Sequence, residues 1–387
     1  MLTLLFFVTF GAPGRSLKEI FEEAVSACTD WLSEILRALD VAEPVRALVL
    51  DGICGGIGSV LSFLPVIGIM FAGLSILQEC GYLEYISHLL NPAFRAFGLS
   101  GEALAPMLTG FGCSVPAMMA AERIPSLGQR KLTTFLIPYM SCSAKIPLCT
   151  MVCGAMLGER AWIGILAFYG AGGLIAAVLS FAWRTLRGIR PRTDRPHTDC
   201  PGIDCRHDGL KLTCPDFRKV AFCTAGNMMG FVKKAFTVIL VASTAIWILE
   251  NFDSRFNLVT SPENSILADL GRSAAPLFQP LGLGDWRIVT ALLSGLTAKE
   301  AVLSTITVLA YTGEGGTTDM ISSIFSPLTA ASFLMFYLLY APCVASLATV
   351  RKVTGRWRYA FAMGCFQTCL AWTAALVVYQ TGHFLGF

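Results

Sequence analysis

Residues Gly110 to Ala117 read Gly-Phe-Gly-Cys-Ser-Val-Pro-Ala, a cysteine and a helix-breaking proline set inside a stretch hydrophobic enough for a membrane. In the second half of the chain, Ser294 to Glu300 reads Ser-Gly-Leu-Thr-Ala-Lys-Glu and places an ammonium and a carboxylate at the equivalent point of a second such stretch. Lipid tolerates interrupted backbone and charge only where protein or a water-filled cavity surrounds them. The two segments therefore read as a paired solute path.

Working outward, the rest of the chain supplies the membrane setting. At 387 residues, 55% hydrophobic and 14% charged, with a mean hydropathy of +0.63, it carries more apolar surface than a soluble globule of this size can hide. Apolar runs near 57–80, 133–157, 161–183, 231–249, 327–350 and 359–382 have the length of membrane spans. Shorter glycine-interrupted segments near 102–120 and 287–311 stand apart from them. The expected fold class is all-α: a polytopic helical membrane protein with two inverted repeats, each carrying a broken or re-entrant segment. A net charge of +3 is too small to argue for nucleic acid. Its distribution is informative, because Arg184, Arg187, Arg190, Arg192 and Arg195 follow one apolar run while Arg351, Lys352, Arg356 and Arg358 separate two others. By the positive-inside bias both loops face the cytoplasm.

Residues 2–12 are apolar but too short to span, with no basic stretch before them, and read as the end of a membrane helix whose beginning is missing. Residues 16–39 carry Leu17, Ile20, Phe21, Val25, Trp31, Leu32, Ile35, Leu36 and Leu39 at helical spacing among charged positions. That pattern predicts an amphipathic helix in the interface, or alternatively a connector packed on the membrane domain. The organisation expected is residues 1–44 as truncated helix plus amphipathic helix, 45–187 as a first repeat, 188–230 as a cytoplasmic Cys-containing loop and 231–387 as a second repeat.

The repeat rests on two matches. Pro92-Ala-Phe-Arg-Ala-Phe-Gly-Leu99 aligns with Pro276-Leu-Phe-Gln-Pro-Leu-Gly-Leu283, and Tyr139-Met-Ser-Cys142 echoes Tyr340-Ala-Pro-Cys343. With 184–230 and 351–358 inside, segment 287–311 begins and ends outside, whereas 102–120, flanked by Arg95, Arg123, Arg130 and Lys131, enters and returns from inside. Inverted repeats with broken helices are the architecture of secondary transporters.

At about 1.5 Å per residue, Cys142 lies roughly 15 Å from Lys131 and Cys343 roughly 12 Å from Arg351, which puts both at similar depth near the bilayer centre. Cys113 completes a candidate trio of soft ligands for a dehydrated cation; the alternative is that each is an ordinary small buried hydrophobe. Glu79, Lys145, Lys299 and Glu300 are ionisable groups in or beside apolar segments and, with Ser114, form the candidate transport path. Glu79 also suits an interfacial position. In the loop, His197, Cys200, Cys205, His207, Cys214 and Cys223 offer metal-ligand types, but their spacing matches no compact zinc pattern, and a linker is the default. A disulfide framework is not expected on a reducing cytoplasmic face. The chain contains no Gly-x-x-x-x-Gly-Lys-[Ser/Thr] phosphate loop, so no nucleotide site or hydrolytic activity is expected from it.

Asp51-Gly52 with Gly55-Gly56-Ile57-Gly58, Gly81-Tyr82, Gly110 to Ala117, Met140-Ser-Cys-Ser-Ala144, Ala298-Lys-Glu300 and Leu339-Tyr-Ala-Pro-Cys-Val-Ala345 resemble, in that order, the membrane domain of FeoB-type ferrous iron transporters. The resemblance spans nearly the whole chain and covers both segments known there as Gate domains. It implies import of Fe2+ as transported substrate across the bacterial cytoplasmic (inner) membrane. Cys113, Cys142 and Cys343 correspond to the family's membrane cysteines, and Lys299 and Glu300 to its second Gate. The chain departs from the family at Ser114 (usually Asn), Lys145 (usually Arg) and Gln78-Glu79-Cys80 (usually an acidic pair before Gly-Tyr). The family's amino-terminal GTP-binding domain is not in this chain, which is expected to be a fragment, a mis-called start or half of a split gene. The resemblance further implies membrane lipid, a GTP-binding domain encoded upstream or separately, a small FeoA-like cytoplasmic protein and a homo-oligomer as partners. Two other readings stay open: a Gate-type transporter of nucleosides or another solute, and a membrane-anchored thiol or metal sensor acting through the loop from His197 to Cys223.

Overall fold

The computed structural model describes residues 12–39, 43–187, 199–200, 203–204, 215–255, 257, 259, 261–310, 321 and 323–386. Its main helices are α1 Ala12–Ala38, α2 Gly55–Glu79, α3 Tyr82–Ala96, α4 Leu104–Gly110, α5 Ser114–Ala121, α6 Leu127–Leu136, α7 Ile146–Leu157, α8 Ala161–Arg187, α9 Phe217–Asn251, α10 Ile266–Phe278, α11 Trp286–Ser294, α12 Ala301–Ala310, α13 Pro327–Leu339, α14 Val344–Thr354 and α15 Trp357–Phe384. The one strand pairing among the described residues is the two-residue ladder of β1 (Asp199–Cys200) with β2 (Ile203–Asp204). Segments long and apolar enough to cross a membrane lie within Leu127–Thr185, Pro327–Thr354 and Trp357–Phe384. Leu166, Leu174, Val178, Phe361 and Val377 are exposed on α8 and α15, as lipid-facing side chains are. The protein is a polytopic helical membrane protein.

Packing divides the chain into two compact units, Met1–Thr133 with Ser180–Thr244, and Thr134–Leu179 with Ala245–Phe387. In the first unit α1 lies along α2, where a side-chain carbon added at Gly58 would come within 2.7 Å of Val25 Cγ1. The amphipathic helix therefore packs on its neighbour through one side and exposes Ile20 and Trp31 on another. Gly56 and Gly68 of α2 leave room for Ser243 and Met228 of α9, the small-residue contact that lets membrane helices approach closely. In α2, Met70, Leu74 and Leu77 form a cluster with Tyr82, Ala105, Leu108 and Cys113.

The two halves share a succession of elements beyond the two short sequence matches. Each Pro-x-Phe motif ends a helix, α3 or α10, in a glycine on the left-handed side of φ (Gly98, +81°; Gly282, +74°). In each, the next leucine N–H returns to the phenylalanine carbonyl, Leu99 to Phe94 at 2.9 Å and Leu283 to Phe278 at 3.1 Å. Two short helices follow in both halves, α4 and α5 or α11 and α12, then a helix that breaks before a cysteine, a further helix, a positive-φ glycine (Gly158 or Gly355) and a long helix. That long helix closes the unit the same way twice. Ser180 and Arg184 of α8 donate to the carbonyls of Phe97 and Ala96, and Trp372 and Gln380 of α15 donate to those of Leu277 and Pro280, satisfying groups that helix ends leave without partners.

The span-length segments 133–157 and 327–350 fall within the stretches apolar enough to cross a membrane, and each is interrupted, the first between Tyr139 and Ser143 and the second between Leu339 and Val344. Pro138, Pro147 and Pro342 withhold the N–H groups a continuous helix requires, and apolarity alone does not register that loss. The loop expected over 188–230 ends earlier, because Asp216 accepts the Arg218 N–H at 3.1 Å and starts α9 at Phe217. Cys223 is therefore helical. His197, Cys205, His207 and Cys214 lie outside the described residues, and Cys200 sits on β1.

Candidate functional site

Three chain breaks meet in the second unit: Met140–Lys145 between α6 and α7, Gly295–Glu300 between α11 and α12, and Tyr340–Cys343 between α13 and α14. The second and third are tied directly, with the Val344 N–H donating to Leu296 O at 2.8 Å. Tyr337 Oη donates to Lys299 O at 3.0 Å and fixes the second break against α13.

Both expected lysines are buried here. Lys299 Nζ donates to Ala341 O at 2.7 Å and stands 3.0 Å from the centroid of the Tyr340 ring and 5.9 Å from that of Tyr337. Lys145 Nζ donates to Leu338 O at 2.7 Å and to Pro138 O at 3.5 Å. The end of α13 leaves carbonyls with no intrahelical donor, and two ammonium groups from distant segments supply one each. Taking an ammonium out of water costs several kcal/mol, and hydrogen bonds to backbone carbonyls together with aromatic faces offset part of it.

The cysteines share a local position that sequence reading missed. Cys113 directly precedes α5, Cys343 directly precedes α14, and Cys142 directly precedes the 3-10 turn Ser143–Lys145 that runs into α7. Each cysteine therefore stands at the N-cap of a helical segment, without a side-chain capping hydrogen bond. Cys142 lies within electrostatic reach of Lys145, Cys343, Lys299 and Glu300. Cys343 Sγ also contacts Ser346 Oγ at 3.3 Å. Among the described residues no three Cys, His, Asp or Glu side chains gather as a closed metal cage. Within this unit two thiols lie within electrostatic reach of each other and of two carbonyl-bound ammonium groups. Tyr337, Tyr340 and the carbonyls of Leu338 and Ala341 are the functional groups that the sequence did not reveal.

In the first unit, Cys113 packs against the Met70 cluster, and Ser114 opens α5. Gly112 is pressed against Met70 so closely that a side chain there would strike its sulfur. A cavity of about 300 Å3 reaches this break, lined on its two sides by Thr109 and Pro116 and further out by Gln78, Glu122, Arg123 and Asn227. Arg123 donates to Asn227 Oδ1 at 3.1 Å. Glu79, at the end of α2, lies 3.7 Å from Lys219 of α9, a partly exposed ion pair.

The family described as Gate, "Nucleoside recognition", matches residues 60–156 and 232–357, blocks that carry Cys113 and Cys142 in one half and Lys299 and Cys343 in the other. Fe(2+) transporter FeoB of Staphylococcus aureus is 32% identical over 381 residues, covering 98% of this chain and 56% of that protein. The Fe(2+) transport protein A/Fe(2+) transporter FeoB fusion protein of Porphyromonas gingivalis is 26% identical over 407 residues, covering 92% and 47%. This chain thus spans about half the length of the curated relatives it matches. Among solved structures, a doubly substituted CNTnw in an outward-facing state superposes with a TM-score of 0.51 at 14% identity, covering 100% of this chain and 90% of that one, a likeness of fold. With more than half its residues inside the matched blocks, and with both blocks built as the same succession of broken helices, the chain belongs to the Gate family of membrane domains.

Proposed function

We infer that this chain is the membrane permease part of a FeoB-type system and imports Fe2+ across the bacterial cytoplasmic membrane. The observation that carries the reading is the placement of Cys142 and Cys343 at two helix breaks of one compact unit, within electrostatic reach of each other, in a chain similar to Fe(2+) transporters over nearly its whole length. A cation leaving water needs replacement ligands, and thiols suit iron while remaining exchangeable when only two converge. Cys113, at the other interrupted segment, is a further thiol station. Glu79, Ser114, Lys145, Lys299 and Glu300 line the route.

In this reading the chain crosses the membrane repeatedly and its two repeats are inverted, with 184–230 inside and 252–286 outside. Opening is linked to a GTP-binding domain, fused or separate, since the relatives it matches are longer. A FeoA-like protein is a second partner, motivated by the fusion in the Porphyromonas gingivalis relative. Uptake of radiolabelled Fe2+ by cells deprived of their own ferrous iron uptake tests the reading. Cells expressing this chain with a FeoB GTP-binding domain should accumulate iron, and cells with equal amounts of a Cys142→Ser, Cys343→Ser chain should not. Nucleoside accumulation without iron would overturn it.

A further inference from the structure

Two backbone carbonyls at the end of α13 and in the break after it, Leu338 O and Ala341 O, each hold a positive charge. Each accepts from a lysine ammonium at 2.7 Å, and the two lysines reach this strip from different segments of the chain. Lys145 and Lys299 are 3% and 5% exposed, so neither is a surface side chain folded back. Capping two orphan carbonyls does not by itself call for charge. A neutral donor such as Asn, Gln or Ser would make the same hydrogen bond with far less desolvation. The placement is that of a cation site. One position combines a carbonyl oxygen with the face of Tyr340, a pairing suited to a positive charge and indifferent to a neutral one.

The neighbours of the strip are ligands. Cys343 lies two residues beyond Ala341 in the chain, and Cys142 lies within electrostatic reach of Cys343 and of both lysines. Ser141 Oγ, beside Cys142, and Tyr340 Oη are both fully buried and have no hydrogen-bond partner among the described residues. Carbonyl oxygens and thiols from two breaks of one unit thus lie near two ammonium groups. Unwound helix ends of this kind coordinate cations in other membrane transporters.

We propose that Leu338 O and Ala341 O, together with the Cys142 and Cys343 thiols, form a binding strip for a divalent cation, and that Lys145 and Lys299 are tethered cations that hold it while the ion is absent. This rests on reading the chain as a metal-ion permease. Ion and ammonium exclude each other, because like charges cannot share one carbonyl in a low-dielectric setting. Entry of the ion requires a lysine to leave its carbonyl, and return of that lysine expels the ion. The two lysines thereby keep affinity low and release fast. Each thiol that ligates the ion gives up its S–H proton to water as the metal–sulfur bond forms and takes one back when the ion leaves, and no other covalent bond is made or broken at the strip.

Binding of Co2+, a spectroscopic stand-in for Fe2+, to the purified full chain in detergent tests the proposal through the sulfur-to-cobalt charge-transfer band. Lys299→Met and Lys145→Met should each bind Co2+ about tenfold or more tightly than the parent, since they remove a competing charge. Lys299→Arg should bind no more tightly than the parent, and adding Cys343→Ser to Lys299→Met should abolish the gain. Lys299→Gln keeps a donor for Ala341 O without the charge, so it serves if the Met variant does not fold, and it too should bind more tightly. Unchanged or weaker binding in folded Met or Gln variants would overturn the proposal, as would Met and Gln variants that both fail to fold while Lys299→Arg folds, because the charge would then be structural. The iron-uptake assay separates this from the parent reading: tightened thiol-dependent binding without iron uptake would sink iron import alone, and iron uptake with unaltered Co2+ affinity would sink the tethered cation alone.

Discussion

The ammonium of Lys145 and the carbonyl oxygen of Leu338 lie 2.7 Å apart although 193 residues separate them. The contact joins the break that contains Cys142 to the broken helix that precedes Cys343, inside one compact unit. It has a measurable consequence for stability. Lys145→Met leaves Leu338 O buried without its donor and should lower unfolding free energy in detergent by about 1–3 kcal/mol. Lys145→Arg retains a charged donor and should lose less. Equal thermal midpoints for parent and Lys145→Met would show that the contact carries no stability.

The thiols are expected to act in transport and not in folding. Serine at Cys142 or Cys343 replaces a soft ligand with a harder one of similar size, so each should cut iron uptake about tenfold while leaving expression and the helical circular dichroism unchanged. Cys28, exposed on α1, is the control, and its serine variant should transport like the parent. Full uptake by a Cys113→Ser, Cys142→Ser, Cys343→Ser chain would return these residues to ordinary packing.

Gly282 tests the repeat architecture. Its φ of +74° lies where side-chain-bearing residues are strained, and an added carbon would run into the ring of Tyr379. Gly282→Ala should therefore cost at least about 2 kcal/mol. Gly154 lies within α7 with nothing within 4 Å of an added carbon, so Gly154→Ala should stabilise by about 0.5–1 kcal/mol. Chemical-denaturation curves of both variants against the parent give the comparison, and similar effects at the two sites would contradict the assigned turn.

The proposed inversion of the two halves makes a sidedness prediction. Single cysteines introduced at Thr193 and Ser261, in a background without reactive native thiols, should label with an impermeant maleimide from opposite faces of sealed vesicles. Labelling of both from the same face would remove the inversion.

Much of this was legible in the sequence because it lies in short-range chemistry. Glycines and prolines at 92–99 and 276–283 announce the same turn, and both turns form with the same returning hydrogen bond. Gly110 to Ala117 and Ser294 to Glu300 read as interrupted, and both are short helix pairs around a break. Continuity misled where apolarity stayed high across a break. Tyr337 and Tyr340 look like ordinary span residues until the chain turns at Ala341 and Lys299 comes to lie over the Tyr340 ring. The carbonyl partners of Lys145 and Lys299 could not be read at all, since every residue has a carbonyl and only the end of a helix leaves one open. Asp216 was a legible exception, a helix-capping residue directly after Pro215 that sets the start of α9 fourteen residues ahead of the expected 231.

The central claim, a thiol-lined iron path whose opening depends on a GTP-binding domain, meets its most direct test in proteoliposomes. Fe2+ entry is followed with a trapped iron-quenched dye, for the 387-residue chain alone and for the chain with a FeoB GTP-binding domain fused or added. Little entry should occur with the chain alone, and entry should rise with GTP when the domain is present and fall away with Cys142→Ser. Robust entry through the chain alone, indifferent to GTP and to Cys142, would contradict the account.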